Sequence, residues 1–302
     1  MEIVPDILTP TECDQVVSGI WDSFEHITQK WAEPIDRNSQ KSWKGFAKLM
    51  PSHGMLYQHW GLGHSQAVWN VRQHPNILKV FSKKWDCKPS DLIVSFDGLS
   101  FMPPPEVTGR GWYRDRDWFH TDQSFKKKGL NTIQGFVTLE DVSDDDATFY
   151  YLENSEQFHE EFGKTFGITS SDDWFQLKDP AHKQWYIDKG CVPKRVSCPK
   201  GSLVLWDSRL IHCGIGPKKT RTVPNTRAII YVCYKPRSTC SERVLTKRLK
   251  AFEELRMTTH DPCRSKLFGK TPQTYGQEIP ELTPLGHPEL TRRVATLVGL
   301  SG

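Results

Sequence analysis

The sequence predicts a mainly β fold, a jelly-roll barrel with helices packed against one of its sheets. Two observations lead to this prediction. Short runs of β-branched and aromatic residues, separated by turn residues, follow one another over residues 91–234, whereas the segments on either side carry helical patterns. Many short strands in succession are typical of sandwiches and barrels.

Two helical segments precede the strands. Thr9, Pro10 and Glu12 form the start of a helix, with Thr9 as the cap, Pro10 at the first helical position and Glu12 three residues after the cap. We expect this helix to run to about residue 30. A second segment spans residues 65–85, where apolar residues recur among polar ones, and it breaks near His74 and Pro75. Both segments are expected to be outer helices.

Four apolar runs are the clearest strands. They cover residues 92–97, 133–139, 201–207 and 228–234, and the third opens with a glycine turn. Their length and their Val, Ile, Leu and aromatic content indicate buried strands. These four runs are expected to supply the barrel core.

The chain after the last strand begins with an amphipathic helix. Over residues 241–256, Leu245, Leu249, Phe252 and Leu255 share one face opposite charged residues, and Ser241 is a plausible cap. The helix is expected to cover a flank of the barrel, with a dimer contact as the alternative. The remaining residues are rich in Pro and Gly and predict a wrapping tail.

Composition fits one globular domain. The chain has 302 residues, 37% hydrophobic and 25% charged, and no Pro/Ser/Gly-rich linker divides it. We therefore expect a single domain over 1–302, with a helical part (1–90), a jelly-roll core (91–235) and a C-terminal helix and tail (236–302). The oligomeric state is predicted as monomer or homodimer.

Charge and cysteine patterns exclude some classes. The net charge is only +4 and the basic residues form no long tract, so nucleic-acid binding is not expected. No secretory signal and no run of about 20 apolar residues is present, so no membrane association is expected. The eight cysteines form no tight pair of the C-x-x-C kind, which predicts free thiols and a cytoplasmic location.

A histidine, an aspartate and a second histidine predict a metal site. His120 and Asp122 are two residues apart on an extended segment and so point to one face, and His212 follows the strand 201–207. Two histidines and one carboxylate on one side of an octahedron leave three positions open, as Fe(II) requires to hold a bidentate co-substrate and dioxygen. The spacing favours an oxygenase.

Arg227 opens the apolar run that forms the last predicted strand. A guanidinium that enters a barrel needs an anion, because an unpaired buried charge is costly. The far carboxylate of 2-oxoglutarate would supply this anion. Arg221, in the loop before the strand, and Arg237, after it, are the alternatives.

On these residues the chain resembles the phytanoyl-CoA dioxygenase-like branch of the Fe(II)/2-oxoglutarate oxygenases. The resemblance covers about residues 90–235 and rests on the H-x-D motif 120–122, the strand 201–207 followed by His212, and Arg227. The segment 142–155 also resembles the family's passage into G-x-L-x-x-x-P-G-S-H, but Ala147 stands where the family often has glycine. Glu153–Glu156 replaces Pro-Gly-Ser-His, a change expected to lie away from the ligands.

The resemblance implies a double-stranded β-helix of the cupin type, with Fe(II), 2-oxoglutarate and dioxygen as cofactor and co-substrates. The implied reaction is oxidation of an unactivated C–H bond, with release of succinate and CO2. Gln134, a polar residue on an apolar strand, is a candidate co-substrate contact, and a bond to a neighbouring strand is the alternative. Trp118 is a candidate wall of the substrate pocket, whereas Trp206 is expected in the core.

The predicted substrate is a small anionic metabolite, such as an amino acid or an organic acid. Arg110, Arg114 and Arg116 crowd the loop before the H-x-D motif, and one of them is a candidate contact for a substrate carboxylate. The basic runs 126–128 and 218–221 are further candidates, with solvated loop faces as the alternative. A protein or nucleic acid substrate, ring closure or desaturation of a specialised metabolite, and a non-catalytic binding module remain alternatives.

Overall fold

A computed structural model describes residues 1–53, 55–109 and 117–300 of the chain. The strands are β1 Glu2–Val4, β2 Leu56–Tyr57, β3 Leu92–Val94, β4 Leu99–Met102, β5 His120–Thr121, β6 Ile133–Thr138, β7 Thr148–Leu152, β8 Phe175–Gln176, β9 Pro193–Arg195, β10 Leu203–Asp207, β11 His212–Ile215 and β12 Arg227–Pro236. The α-helices are α1 Pro10–Thr28, α2 Gln66–Arg72, α3 Pro75–Trp85, α4 Pro105–Thr108, α5 His159–Thr165, α6 Pro180–Asp188, α7 Glu242–Glu253 and α8 Arg292–Val298. Short 3-10 helices span Gln40–Leu49, Leu62–His64, Pro89–Asp91, Ser155–Phe158 and Arg237–Thr239.

The strands form two antiparallel sheets. The first has the order β1-β10-β6-β12-β4-β2, with β3 pairing to β12, and the second has the order β8-β5-β11-β7-β9. β12 is the central strand of the first sheet and pairs with β3, β4 and β6 along its length. The mainly β prediction with flanking helices is confirmed, and all four apolar runs contain strands.

The N-terminal helices form as the sequence predicts. Thr9 accepts a hydrogen bond from the backbone N–H of Glu12 at 3.2 Å, and the Glu12 carboxylate accepts one from the Thr9 N–H at 2.8 Å. This reciprocal capping box starts α1 at Pro10. The second segment divides into α2 and α3 at His74 and Pro75, since proline can begin a helix but cannot continue one. The apolar faces of these helices join the core of the first sheet.

Helix α7 packs within the chain, as expected, but it ends earlier than its pattern suggests. Leu255 takes φ +50° beyond the helix end, and the Ser241 side chain makes no capping hydrogen bond. The fully buried Arg248 donates hydrogen bonds to the backbone carbonyls of Val94 at 2.7 Å and Leu297 at 3.0 Å. Its guanidinium therefore joins α7 to β3 and α8.

Among the described residues, four α-helices were missed by the sequence analysis: α4, α5, α6 and α8. The tail is not wholly irregular, because its Thr291 caps α8, whose Val294, Leu297 and Val298 are buried. Helices α5 and α6 interrupt the strand region. In α6 only Tyr186 is buried, so this helix shows no apolar stripe that a periodicity argument could detect. Among the described residues, no helix is both long and apolar enough to cross a membrane.

Candidate metal centre and its cavity

The three predicted ligands converge in the second sheet. His120 begins β5 and His212 begins β11, and these two residues are direct partners in the antiparallel pairing of the strands. Asp122 lies just beyond β5, with its carboxylate 3.8 Å from His120 Nε2 and 3.3 Å from His212 Nε2. One donor atom from each residue lies within 4.8 Å of the others. We refer to these residues as the triad.

Backbone and aromatic contacts fix both imidazoles. His212 Nδ1 lies 3.0 Å from the carbonyl oxygen of Leu210, and His120 Nδ1 lies 3.4 Å from that of Trp118. Phe149 stacks on His212 with ring centroids 5.0 Å apart, and Trp118 stacks on His120 at 4.7 Å. When Nδ1–H donates to a backbone carbonyl, Nε2 is left with a lone pair for a metal ion.

The electrostatics of the triad also suit a cation. Burial and the nearby His212 lower the pKa of His120 to about 3, so its imidazole is neutral at physiological pH. Burial by itself would raise the pKa of the Asp122 carboxyl. The imidazoles of His260, His120 and His212 have a larger, opposite effect and lower this pKa, so the carboxyl is ionised. A neutral nitrogen donor and an ionised oxygen donor are the forms that bind a metal ion. The residues present therefore fit a ferrous ion, whose usual protein ligands are two histidines and one carboxylate.

The triad faces a cavity of about 590 Å³. Aromatic side chains line part of it, and polar and charged side chains line most of the rest. The lining includes His53, Met55, Asp97, Trp118, Gln134, Phe149, Trp174, Trp206, Gly214, Arg227, Tyr231, His260, Arg264, Lys266 and Phe268.

The inner end of the cavity consists of Arg227, Gln134 and Gly214, all on strands. Arg227 is 5% exposed at the start of β12, with Nη1 2.6 Å from the sulfur of Met55. Gly214 lets Met55 pack closely against the backbone here, because a Cβ atom at position 214 would lie 2.7 Å from the Met55 methyl group and 3.7 Å from Arg227 Nη1. The triad and the guanidinium line the same cavity.

The two alternative arginines lie elsewhere. Arg221 binds the carboxylates of Glu106 at 2.6 Å and Asp146 at 2.9 Å. Arg237 donates to the carbonyl oxygen of Gly299. Neither residue lines the cavity, whereas Arg227 does.

Gln134 and the two tryptophans also line the cavity. Gln134 Nε2 is buried and has no hydrogen-bond partner among the described residues, so the alternative of a bond to a neighbouring strand is not seen for this amide nitrogen. Trp118 lines the cavity as predicted and donates from Nε1 to the Gly214 carbonyl at 2.8 Å. Trp206 is buried as predicted, at 4% exposure, but it is also part of the cavity lining.

The predicted cationic loops supply no described residue to the lining of the cavity. Arg110, Arg114 and Arg116 lie outside the described residues. In the two basic runs, Lys127 pairs with Asp173 at 2.5 Å and Lys218 with Asp145 at 2.9 Å. No residue of either run lines the cavity.

The outer wall of the cavity consists of Asp97 and residues 257–268, and the sequence analysis missed it. The segment is closed by hydrogen bonds from Phe268 N to Met257 O at 3.0 Å and from Thr259 N to Lys266 O at 3.0 Å. Asp261 anchors it through the buried Lys235, 3.3 Å away. A hydrogen bond from Thr258 N to Phe96 O at 2.9 Å joins the segment to a distant part of the chain, so no local pattern in the sequence marks its position.

Asp97 is a buried carboxylate in this wall. It is 8% exposed, and its Oδ1 accepts a hydrogen bond from the Gly98 N–H at 3.3 Å. Burial raises its pKa to about 6, although electrostatic interactions with the nearby His260 and Arg72 offset part of this effect. Asp97 therefore presents an acceptor to the cavity.

Comparisons with known proteins agree with the site. No protein-family model matches the chain. A protein of Aspergillus versicolor named Ava biosynthesis cluster protein O is 25% identical over 240 residues, which cover 76% of this chain and 73% of that protein. A protein of Dictyostelium discoideum with the provisional name phytanoyl-CoA dioxygenase is 22% identical over 260 residues, 72% of this chain and 68% of that protein. The chain is related to the phytanoyl-CoA dioxygenase-like proteins.

One solved structure shows the fold relationship. The product of GlcNAc-inducible gene 2 from Candida albicans, a DUF1479 protein, superimposes with a TM-score of 0.53 at 13% identity. The match covers 83% of this chain and 64% of that chain. At this identity the likeness concerns the fold alone.

The segment 153–156 keeps the serine of the phytanoyl-CoA dioxygenase-like motif, and this serine lies next to a metal ligand. Ser155 Oγ accepts a hydrogen bond from the backbone N–H of Ile211 at 2.9 Å, immediately before His212. Asn154, at the position of the motif glycine, takes φ +66°. Asparagine tolerates this left-handed conformation better than most residues, so the turn is kept without the glycine.

Proposed function

We propose that this protein is an Fe(II)- and 2-oxoglutarate-dependent dioxygenase that oxidises, in the simplest case hydroxylates, a C–H bond of a small molecule. The observation that carries the proposal is the convergence of His120, Asp122 and His212 on a cavity that also contains the buried Arg227. Succinate and CO2 are the expected co-products. When bound, Fe(II) and 2-oxoglutarate supply the activation of dioxygen and the oxidising power.

In this proposal the triad binds Fe(II) and Arg227 binds the co-substrate. The Arg227 guanidinium pairs with the far carboxylate of 2-oxoglutarate in a two-pronged, charge-assisted contact. Gln134, whose amide nitrogen lacks a partner among the described residues, donates a hydrogen bond to the same molecule. The aromatic residues around the triad exclude water from the reacting atoms.

We further propose that the two sheets are the walls of a double-stranded β-helix and that residues 1–302 form one domain. The apolar core supports the second point, because it includes residues from α1, the first sheet and α8. The cytoplasmic location and the choice between monomer and homodimer stay predictions.

The substrate is proposed to be a small molecule that enters between Trp118, Trp174 and the outer wall. Trp174 is 46% exposed, and its ring centroid lies 5.8 Å from that of His120. The anionic-substrate prediction still depends on Arg110, Arg114 and Arg116, while Arg264 and Lys266 are cations that the described cavity provides. The lining also includes Asp97, Asp172, Asp173 and Asp261, which disfavours a nucleic acid.

Ring closure or desaturation of a specialised metabolite is the second candidate. It is favoured by the similarity to a protein named for a biosynthesis cluster. The same metal centre would serve either outcome, and the two candidates differ in the product: hydroxylation adds an oxygen atom, whereas desaturation or oxidative ring closure removes two hydrogen atoms.

Metal binding gives the direct test. His120→Ala and His212→Ala should each lose bound iron and 2-oxoglutarate turnover, whereas His26→Ala, which changes an exposed histidine of α1, should keep both. Iron is measured by elemental analysis and turnover by succinate release. Full iron occupancy and turnover in either triad variant would remove that residue from the ligand set.

A substrate panel tests the choice of substrate. Free amino acids, organic acids, acyl-CoA esters, polycyclic metabolites and oligonucleotides are compared by the succinate released above the background without substrate. The anionic prediction expects stimulation by the acids and its loss when Arg110, Arg114 and Arg116 are changed to Ala. Stimulation by oligonucleotides alone would instead support a macromolecular substrate.

A further inference from the structure

Most cysteines of the chain are buried as inert thiols. Burial raises the pKa of Cys13, Cys191 and Cys198 to about 11 and that of Cys213 to about 12. Because the thiolate is the reactive form, these side chains behave as small apolar residues at neutral pH.

Cys240 and Cys263 differ from the others because they lie side by side. The Cys240 sulfur is 3.8 Å from the carbonyl oxygen of Pro262, the residue before Cys263. The Cys263 sulfur is 3.2 Å from the hydroxyl of Thr239, the residue before Cys240. Each sulfur thus contacts the residue next to the other cysteine, and both pack in one apolar cluster with Ile93 and Leu245.

The two thiols have unequal roles. The neighbouring Cys240 thiol lowers the pKa of Cys263, and Cys263 raises the pKa of Cys240. The Thr239 contact and the nearby Lys235 also favour the Cys263 thiolate. Cys240 is half-buried whereas Cys263 is buried, so a small oxidant can reach the pair from the Cys240 side.

We propose that Cys240 and Cys263 are a redox-active pair that forms a reversible disulfide within the chain. The oxidant is a peroxide. The Cys263 thiolate attacks a peroxide oxygen and breaks the O–O bond, which gives a sulfenic acid and, with hydrogen peroxide, one water after protonation. The Cys240 sulfur then attacks the sulfenic sulfur, the S–O bond breaks and a second water leaves. Two thiols are oxidised to one disulfide while one peroxide is reduced to two waters.

The position of the pair links this chemistry to the catalytic cavity. Cys263 belongs to the outer wall, two residues after Asp261, and Cys240 directly precedes α7. A disulfide would therefore join the outer wall covalently to the start of α7. This consequence concerns the substrate side of the cavity and leaves the triad and Arg227 unchanged.

Peptide mapping of the full chain, without added iron, tests the proposal. The folded protein is treated with hydrogen peroxide, the remaining thiols are blocked, and tryptic peptides are analysed without reduction. Cys240 lies in peptide 238–243 and Cys263 in peptide 257–264, each with no other cysteine. We expect these two peptides joined by a disulfide, a loss of two thiols per chain, and recovery of both thiols with dithiothreitol.

Single variants give the matched controls. Cys87→Ser, which changes the other half-buried cysteine, should still lose two thiols and show the same cross-link. Cys240→Ser and Cys263→Ser should show no cross-link. Absence of the 240–263 link in the oxidised wild-type protein, or its occurrence only between chains on a non-reducing gel, would refute the proposal. If a serine variant fails to fold, the wild-type map alone decides.

Discussion

The inner end and the outer wall of the cavity are built in different ways. Arg227, Gln134 and Gly214 lie on paired strands, and all three line the cavity. The outer wall instead consists of loop residues that contacts from distant parts of the chain hold in position. A strand sets side-chain direction through its own alternation, whereas a loop acquires it from its surroundings. The inner end is therefore suited to a fixed ligand, and the outer wall can change with the substrate.

The largest effect is expected at the inner end, from Arg227→Ala. Loss of one partner of a buried charge pair costs about 3–5 kcal/mol, so affinity for 2-oxoglutarate should fall by at least about 100-fold while iron stays bound. Calorimetric titration of the metal-loaded protein with 2-oxoglutarate measures this change.

Arg227→Lys and Arg221→Ala are the controls. The lysine variant keeps the charge but not the two-pronged contact, so an intermediate affinity is expected. Arg221→Ala should bind 2-oxoglutarate normally, because this arginine already binds Glu106 and Asp146. Unchanged affinity in Arg227→Ala would mean that another cation binds the co-substrate. The inner end would then not be the co-substrate site.

The sequence allowed the inner end to be predicted because strand residues carry a regular signal. His120, Asp122, His212 and Arg227 each lie at or beside a strand end, where alternation and apolar runs can be recognised. The strand pairing that brings His120 opposite His212 was not predicted, since it depends on long-range register.

The outer wall could not be predicted for the opposite reason. No local sequence pattern distinguishes Asp97, His260 and Arg264 from other polar residues. They meet at the cavity because residues 257–268 pack against the chain just after β3. The helix α8 in the tail was missed because it is one short helix in a Pro- and Gly-rich segment. Local sequence patterns therefore identified the metal ligands, whereas the residues of the outer wall are positioned by tertiary contacts.

The second-largest effect is expected in the outer wall, from Asp97→Asn. Burial raises the pKa of Asp97 from 3.8 to about 6, so the folded state binds this proton more tightly than the unfolded state does. The free energy of unfolding of the metal-free protein should therefore fall as pH rises from about 4 to 6, by roughly 3 kcal/mol at most. The Asp97→Asn variant should not show this pH-dependent fall in the free energy of unfolding. At pH 7 its free energy of unfolding should be higher than that of wild type.

Urea denaturation at pH 4 and pH 7 measures the difference, with Asp172→Asn as a control for an exposed carboxylate. The gain at pH 7 should largely disappear at pH 4. A variant that is less stable than wild type at pH 7 would show that Asp97 is held by a strong ion pair, and the outer wall would then lack a ready acceptor.

A smaller effect is expected at the inner end from Gly214→Ala. The added Cβ atom would lie 2.7 Å from the methyl group and 3.1 Å from the sulfur of Met55, so Met55, whose sulfur contacts Arg227, must shift. Overpacking of this kind costs about 1–3 kcal/mol, and affinity for 2-oxoglutarate should fall by about 10-fold. Gly286→Ala is the matched control, because a Cβ atom there meets nothing within 4 Å. Equal affinity of both variants would show that the packing of Met55 beside Arg227 does not affect co-substrate binding.

The smallest effect is expected at the rim, where Lys266 of the outer wall pairs with Asp172. Their charged atoms are 3.4 Å apart, but the side chains are 75% and 70% exposed, so solvent screens the pair. Exposed pairs contribute about 0–1 kcal/mol, and Lys266→Ala should lower the free energy of unfolding by less than about 1 kcal/mol.

The buried pair of Lys235 and Asp261 is the comparison, with side chains only 10% and 6% exposed. Lys235→Ala should lower the free energy of unfolding several times more, because it leaves a buried carboxylate without its cation. Urea denaturation of both variants compares the two pairs. A larger loss from Lys266→Ala than from Lys235→Ala would mean that the rim, and not the buried anchor, holds the outer wall in place.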